Sequence, residues 1–149
     1  ASHAYQNKKT ERTEPLFSAG GIAYIYVIYG IYYCLNVVTA DKEKPESVFI
    51  RAVEPISGLD IIKENRQIKS DKIEELSNGP GKLSQALAID KSFNGVKLFE
   101  KDKLYIKKND LTEKEICIAK GPRVNVDYAE EYSDKKWRFY LAENSFLSV

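Results

Sequence analysis

The chain has 149 residues, of which 43% are hydrophobic and 30% are charged. This length and balance fit one globular domain that buries its own core, and they exclude an intrinsically disordered chain. The formal net charge of +1 neither requires nor excludes a polyanionic partner, because a local basic patch is enough to bind phosphates.

Cysteine and histidine usage argues against a metal centre. The sequence contains Cys34, Cys117 and a single histidine, His3, and they show no metal-binding spacing. Free thiols are typical of a reducing compartment, and the polar N-terminus does not resemble a signal peptide. We therefore expect an intracellular protein that holds no metal.

Residues 1–14 form a polar segment with a mild local excess of positive charge. This pattern predicts a loop or a short irregular segment. His3 lies within it. From the residues alone, His3 is either an ordinary surface side chain or a site residue that uses its imidazole.

The most distinctive stretch is the uncharged run at residues 15–40. A membrane span, a buried helix and a β-hairpin all fit its length. Tyrosines in the middle of the run argue against a span, and glycines with β-branched residues argue against a helix. Residues 22–28 and 31–38 are dense in Ile, Val and Tyr, and Gly30 lies between them where a reversal needs positive φ. We therefore predict a hairpin.

The tyrosines distinguish this hairpin from an ordinary core element. Tyr24 and Tyr26 share one face of the first strand because side chains alternate with period two, and Tyr29 falls at the turn. One interpretation is that the rings fill a core and leave a single tyrosine on the surface. The other is an aromatic floor with an outward-projecting wedge, which suits the stacking and displacement of a nucleobase.

A further strand is predicted over residues 48–53, and it contains an arginine. Arg51 lies among apolar residues, where an unpaired charge is costly to bury. It is therefore either an edge-strand residue that reaches solvent or a paired guanidinium group with a function. The residues leave both interpretations open.

Helices are predicted in the middle of the chain. One begins at a Ser57 cap and runs to about residue 68, a short one covers residues 71–76, and a third begins at Pro80 or Gly81. The glycine-rich start of the third helix, with Lys82 beside it, is compatible with phosphate binding. A plain capped helix also explains it.

The second half of the chain alternates short apolar runs with charged turns. Asn94-Gly95 predicts a tight hairpin, and strands are predicted over residues 98–99, 104–106, 116–119, 124–126, 137–141 and 146–149. The sequence therefore predicts an α+β fold in a single domain, with a mainly antiparallel curved sheet, a protruding β-hairpin and two to three helices.

Five separated blocks carry a family resemblance. They are Ala-Ser-His at residues 1–3, the tyrosine hairpin at 21–38, Ile-Arg-Ala-Val-Glu-Pro at 50–55, Asn-Gly-Pro-Gly-Lys-Leu-Ser-Gln-Ala-Leu at 78–87 and Trp-Arg-Phe-Tyr at 137–140. In this order they resemble the alkyladenine (3-methyladenine) DNA glycosylases of the mammalian type, a base-excision repair family. The resemblance extends over essentially the whole chain.

The resemblance implies one DNA glycosylase domain over residues 1–149. Such an enzyme flips alkylated purines of the 3-methyladenine type out of double-stranded DNA and hydrolyses the N-glycosyl bond. A monofunctional enzyme is implied, because no lysine occupies a matched pocket position for a Schiff base. No cofactor, no metal and no membrane are implied, and we expect a monomer in the cytoplasm or nucleoid if the source is bacterial.

The resemblance also assigns roles to individual positions. Tyr29 matches the tyrosine that intercalates into the duplex, Tyr26 matches the floor under the flipped base, and Arg51 matches the arginine that positions the attacking water. The other implied base-pocket residues are His3, Ala1 and Asn36, of which Asn36 crowds the exocyclic amino group of guanine, and the implied DNA-backbone contacts are Thr10 and Lys82.

One element of the family pattern is missing. The catalytic glutamate of the family lies in a Glu-Ala-Tyr block a few residues before the segment that matches residues 1–3, and this sequence has no such block. Glu54, Glu11 and Glu14 are poor replacements, since Glu54 faces away from Arg51 on a strand and the other two lie in the N-terminal segment. We therefore expect the domain to continue before Ala1.

Two alternatives to an active glycosylase stay open at this stage. The first is a non-catalytic protein of the same fold that binds damaged DNA. The second is an unrelated small protein that uses the apolar run as an anchor.

Overall fold

The computed structural model describes residues 2–68, 70, 72–108 and 116–147. Its strands form two antiparallel sheets: β1 (Ala23–Ile28), β2 (Tyr32–Val38) and β3 (Ser47–Phe49) in that order, and β4 (Ile118–Gly121) paired with β5 (Arg138–Leu141). The α-helices are α1 (Leu59–Arg66) and α2 (Pro80–Ala86), and short 3-10 segments lie at Tyr5–Asn7, Glu14–Phe17, Ile73–Leu76, Lys91–Phe93 and Asp127–Tyr132. The predicted α+β class with antiparallel strands is confirmed.

The predicted hairpin is confirmed as β1 and β2, which pair antiparallel along their whole length. The chain reverses at Tyr29 (φ 54°) and Gly30 (φ 73°), and the Ile31 N–H donates to the Ile28 carbonyl at 3.3 Å. Two successive positive φ values are typical of a turn whose twist matches that of the flanking strands. Glycine adopts this conformation without steric penalty, whereas tyrosine does not.

One face of the hairpin packs into the main core. Ala23, Ile25 and Leu35 are buried there against Leu83 of α2. These residues are odd-numbered and lie on the strands, so the period-two alternation turns the even-numbered side chains to the other face. Because the odd-numbered face is buried in the core, the β1 tyrosines that can line a site are the even-numbered Tyr24 and Tyr26.

The even-numbered face is closed by the segment that precedes β1. Tyr24 is only 2% exposed and packs with Val38 and with Ala4, Leu16 and Phe17. Tyr26 lies at the margin of this cluster and is half-buried. The N-terminal segment, which carries His3, is thereby held against the tyrosine face of the hairpin.

The strand predicted over residues 48–53 is shorter in the structure, because β3 ends at Phe49. The Ile50 N–H still donates to the Leu35 carbonyl at 3.0 Å, but the next residues turn away from the sheet. The Ser77 hydroxyl donates to the Val53 carbonyl at 2.6 Å. Arg51 therefore lies just beyond the end of the strand.

The predicted helix start at Ser57 is wrong by one residue. The N-cap of α1 is Gly58 in a left-handed conformation (φ 73°), and no side chain caps the helix. The helix predicted over residues 71–76 is a 3-10 segment, Ile73–Leu76. The prediction that a helix starts at Pro80 is confirmed by α2.

The Asn94-Gly95 turn forms, but it does not connect two paired strands. The Asn94 side-chain oxygen accepts the Ile25 N–H at 2.9 Å, and the Gly95 N–H donates to the Ala23 carbonyl at 2.8 Å. The turn therefore covers the free edge of β1. The hairpin predicted at Asn94-Gly95 is wrong, because the polar groups of this turn form hydrogen bonds with β1 instead of closing a pair of strands on either side of the turn.

Of the remaining predicted strands, only two form in the described part of the chain. They are β5 and a shifted version of the 116–119 strand, β4. Residues 98–99, 104–106 and 124–126 form turns or irregular structure, and Asn125 has φ 56°. Residue 147 of the predicted terminal strand is also irregular, and residues 148–149 lie outside the described residues. Within the residues described, no helix combines the length and the apolar character that a membrane crossing needs.

Candidate functional site

An aromatic cluster lies where the N-terminal segment meets the hairpin. The His3 ring meets the Tyr26 ring edge-on, with centroids 4.4 Å apart and planes at 82°. The Tyr24 and Tyr26 rings are 5.7 Å apart, and Phe49 of β3 lies 6.2 Å from Tyr26. Such edge-on and tilted arrangements are the favourable ones for aromatic pairs. The structure thus brings together two predicted pocket residues, His3 and Tyr26, that are 23 positions apart in the chain.

Both ring nitrogens of His3 have polar neighbours. The Nδ1 atom lies 2.9 Å from the Tyr24 hydroxyl, and Nε2 lies 3.5 Å from Nη2 of Arg12. A guanidinium group only donates, so a hydrogen bond from Arg12 to Nε2 goes with the tautomer in which Nδ1–H donates to Tyr24. The His3 ring is thereby held between Tyr24 and Arg12.

The environment keeps the groups of the cluster uncharged. Burial lowers the pKa of His3, and the positive charge of Arg12 lowers it further. Burial also raises the pKa of Tyr26, and the neighbouring Cys34 thiol adds to this effect. Burial likewise raises the pKa of Tyr24. Neutral phenol and imidazole rings present electron-rich surfaces, which attract cations.

Arg12 is a member of the cluster that sequence reasoning missed. Its guanidinium carbon lies 5.7 Å from the centroid of the Tyr26 ring. No periodicity links position 12 to a strand residue, and the sequence indicated only a mildly basic segment there. The contact arises because the N-terminal segment folds back over the hairpin.

Arg51 lies on the same side of the sheet, next to Phe49. Its guanidinium carbon is 5.6 Å from the Phe49 ring centroid, and its Nε is buried without a hydrogen-bond partner among the described residues. Burial lowers the pKa of Arg51, and the positive charge of Arg138 in β5 lowers it further. The ion pairs among described residues join Lys9 to Glu43, Lys44 to Asp41 and Lys97 to Glu100.

Arg51 thus matches neither interpretation drawn from the sequence. It is a half-buried cation outside a strand, and no described carboxylate forms an ion pair with it. Alternation along β3 could have identified Phe49 as its neighbour, since residues 49 and 51 fall on one face of an extended chain.

Asn36 lies in β2, directly opposite Tyr24 of β1. Its side chain is buried, and its Nδ2 group donates to the carbonyls of Tyr24 and Cys34, at 3.3 Å in each case. The amide protons are therefore engaged with the backbone, and the side chain is held rigidly on the tyrosine face. Its predicted role in discriminating against guanine stays a prediction.

Tyr29 projects from the turn of the same hairpin. Its side chain is 84% exposed, the conformation of its backbone is strained for a non-glycine residue, and it lies three residues beyond Tyr26. At about 3.3 Å per residue along a strand, the two positions are roughly 10 Å apart. The outward projection of Tyr29 agrees with the sequence prediction.

The predicted backbone-contacting residues lie in two places. The Thr10 N–H donates to the Thr13 hydroxyl at 2.8 Å within the N-terminal segment. The Lys82 ammonium group donates to the Asn78 side-chain oxygen at 2.8 Å, beside the start of α2. Ala1, the remaining predicted pocket residue, lies outside the described residues.

Two surface grooves in the described part of the chain lie away from the aromatic cluster. One, of about 610 Å³, is lined by residues 53–57 together with residues that include Ile62, Ser77 and Tyr105. The other, of about 420 Å³, is lined by Phe99 and residues of the 101–108 segment. None of the predicted site residues lines either groove. The cluster around Tyr26 is packed on itself, with Arg12 over its ring.

Comparison with known proteins identifies the family. Residues 1–145 match the methylpurine-DNA glycosylase family. A Natranaerobius thermophilus protein named "Putative 3-methyladenine DNA glycosylase" is 56% identical over 147 residues, which cover 99% of this chain and 74% of the relative. Proteins of the same name from Clostridium perfringens strain 13 and Desulfitobacterium hafniense are 42% and 41% identical, covering 99% and 100% of this chain and 75% of each relative. The chain belongs to the methylpurine-DNA glycosylase family, as the motif resemblance predicted.

Proposed function

We propose that this protein is a base-excision repair glycosylase that flips alkylated purines of the 3-methyladenine type out of double-stranded DNA and hydrolyses their N-glycosyl bonds. It acts as a monofunctional monomer on genomic DNA inside the cell, in the cytoplasm or nucleoid of a bacterium, without a cofactor. Membership of the family and the geometry of the hairpin support this proposal.

The observation that carries the proposal is the position of Tyr29. An aromatic ring that is 84% exposed at a strained hairpin tip contributes little to folding. It is well suited to enter a base stack and to replace a base that leaves it. Tyr26, on the strand that leads into this turn, lies roughly 10 Å from it along the chain and is proposed to receive that base.

The aromatic cluster supports the proposed preference for alkylated purines. Alkylation on a ring nitrogen gives the base a positive charge and weakens its pairing, so flipping costs less than the few kcal/mol of a normal base. The face of the neutral Tyr26 ring attracts such a cation by about 0.5–2 kcal/mol. Asn36, whose amide group is held by the Tyr24 carbonyl, would limit the groups that fit beside Tyr26.

Arg51 is assigned the positioning of the attacking water, the role that the family resemblance implies for it. The half-buried guanidinium group has a free Nε–H, which can hold a water molecule or a phosphate oxygen near the sugar. The guanidinium group of Arg12 lies over the Tyr26 ring and that of Arg51 over the neighbouring Phe49 ring, and guanidinium groups do not form Schiff bases. Hydrolysis without strand cleavage is therefore the reaction that these residues support.

One observation favours a second candidate function, namely non-catalytic binding of damaged DNA by the same hairpin and pocket. This sequence does not contain the Glu-Ala-Tyr block that carries the catalytic glutamate in the family resemblance, and no ion pair among the described residues joins a carboxylate to Arg51. A positioned general base contributes about 10²–10⁴-fold to the rate of such a reaction. Without one, lesion binding is retained but turnover is slow.

A single pair of assays distinguishes the two functions. Release of 3-methyladenine from methylated DNA and binding of lesion-containing duplexes are measured for this chain and for the Natranaerobius thermophilus relative. The enzymatic proposal expects this chain to release 3-methyladenine above the uncatalysed rate. Selective binding without release supports the second function, and neither binding nor release contradicts both.

A further inference from the structure

Arg12 is the cation beside the proposed base pocket, and its charge can affect which damaged bases bind there. The guanidinium group of Arg12 lies 5.7 Å from the Tyr26 ring centroid and 3.5 Å from His3 Nε2. It makes no ion pair with any acidic side chain in the described part of the chain. Its full positive charge therefore acts on the space above the Tyr26 ring.

A neighbouring residue provides a natural comparison. Lys9 lies in the same N-terminal segment, and its ammonium group is 5.2 Å from the Phe17 ring centroid. It forms an ion pair with Glu43 at 3.4 Å, and Phe17 is buried in the core beneath the hairpin. The segment thus carries two cations over aromatic rings, of which only Arg12 faces the proposed base pocket.

The charge of Arg12 affects cationic and neutral bases differently. A base stacked on Tyr26 comes within a few ångströms of the guanidinium group unless the group leaves entirely. A purine with a formal positive charge is then repelled, whereas a neutral purine offers its π-face to the guanidinium group. Arg12 therefore acts in the opposite sense to the tyrosine rings, which favour cations.

We propose that Arg12 is a specificity-determining residue that sets the balance between cationic and neutral damaged purines. Its charge reduces the advantage that the aromatic rings give to cationic bases, and so extends the range of the pocket to neutral lesions. This inference rests on the proposed function, because it assumes that a flipped base stacks on Tyr26.

The test is a charge series at position 12. Fluorescence anisotropy gives the Kd of the full chain for duplexes with a central 7-methylguanine, which is cationic, a central hypoxanthine, which is neutral, or no lesion. The variants are Arg12→Lys, Arg12→Gln and Arg12→Glu. The quantity compared is the ratio of the hypoxanthine Kd to the 7-methylguanine Kd.

We expect this ratio to remain near the wild-type value in Arg12→Lys and to increase about 3- to 100-fold in Arg12→Gln, the range for a unit charge about 6 Å away in surroundings between water and a protein surface. It increases further in Arg12→Glu. The matched controls Lys9→Gln and Lys9→Glu remove the same charge from the same segment. We expect the Lys9 variants to weaken binding to all three duplexes by a similar factor and to leave the ratio of the hypoxanthine Kd to the 7-methylguanine Kd unchanged.

Two kinds of result overturn different claims. If the wild-type chain does not prefer lesion duplexes to undamaged DNA, the proposed function fails. If the lesion preference is present but the ratio does not follow the charge at position 12, or changes equally in the Lys9 series, the role of Arg12 is refuted and Arg12 is an ordinary DNA-attracting cation. Far-UV circular dichroism and thermal melts establish that each variant is folded.

Discussion

His3 and Tyr26 are in edge-to-face contact, with ring centroids 4.4 Å apart and planes at 82°. This contact joins the N-terminal segment to the tyrosine face of the hairpin. The His3 and Tyr26 rings form a joint aromatic surface, and the Arg12 guanidinium group lies over the Tyr26 ring. The charge state of His3 therefore reports directly on the electrostatics of the proposed base pocket.

The first prediction concerns the titration of His3. Burial and the nearby Arg12 lower its pKa in the folded protein, so we expect a midpoint below 6.5. Because the chain has one histidine, its Cε1–H proton resonance is unambiguous in an NMR pH titration. Arg12→Gln is expected to move the midpoint upward, since it removes one of the two causes.

The same pKa shift predicts a pH dependence of stability. Between the folded-state pKa and 6.5, the unfolded chain binds more protons than the folded one, so the free energy of unfolding decreases as the pH falls below 6.5. The decrease ends once the pH is below the folded-state pKa. In His3→Gln this contribution is absent. An identical pH profile for the two proteins in urea melts would contradict the prediction.

The second prediction separates the structural and functional properties of Tyr29. Asparagine adopts positive φ more readily than tyrosine, and the ring of Tyr29 is largely exposed. Tyr29→Asn is therefore expected to raise the free energy of unfolding by up to about 1 kcal/mol. It is expected to weaken binding to a lesion duplex by about 1–3 kcal/mol, the typical contribution of one aromatic–base stack.

Tyr128→Asn is a matched control for Tyr29→Asn. Tyr128 is also strongly exposed, but it lies in the Asp127–Tyr132 segment, away from the hairpin tip. We expect its substitution to leave lesion binding unchanged. Equal losses of binding for the two variants would show that Tyr29 has no special role as a wedge.

The third prediction tests the bracing of the hairpin by α2. A Cβ atom at Gly81 would lie 2.9 Å from Cδ1 and 3.0 Å from Cγ of the Tyr32 ring, which follows the hairpin turn. Gly81→Ala gains up to about 1 kcal/mol in helix propensity. We expect overpacking of about 1–3 kcal/mol to outweigh that gain and destabilise the protein.

A double-mutant cycle identifies the cause of that destabilisation. In a Tyr32→Ala background the ring is absent, so Gly81→Ala is expected to become neutral or stabilising in urea denaturation. Gly79→Ala is a useful second comparison, because its added Cβ would approach nothing closer than the Lys82 side chain at 3.8 Å. If the sign of the Gly81→Ala effect is the same in both backgrounds, the bracing contact is not its origin.

The fourth prediction concerns the unpaired cation beyond β3. Arg51 has a buried Nε that has no hydrogen-bond partner within the described residues, and a buried unsatisfied donor costs about 1–3 kcal/mol. Arg51→Met is therefore expected to stabilise the fold. It is also expected to weaken DNA binding and to reduce the slope of log K against log salt by about 1 if the group contacts a phosphate.

Arg123→Met provides the control for Arg51→Met. Arg123 also has a buried Nε without a partner among the described residues, but its guanidinium carbon lies 5.3 Å from the Trp137 ring and not over Phe49. We expect its removal to leave the preference for lesion over undamaged DNA unchanged. Loss of that preference only in Arg51→Met would place Arg51 in the site.

Much of the hairpin could be predicted because its signals are local. Dense β-branched and aromatic residues favour strands, Gly30 permits the reversal, and alternation assigns Tyr24 and Tyr26 to one face. The outward projection of Tyr29 follows from its place at the turn. The start of α2 at Pro80 is equally local, because proline suits the first turn of a helix.

Contacts between distant segments account for what the residue pattern did not predict. The Asn94 side chain satisfies the edge of β1, Ser77 draws residues 50–53 away from β3, and Arg12 reaches the Tyr26 ring. Each joins residues that no short-range period relates, and each forms only when the chain has folded back on itself. The strands and their faces are therefore properties of local sequence, whereas the site takes its charge and its neighbours from long-range packing.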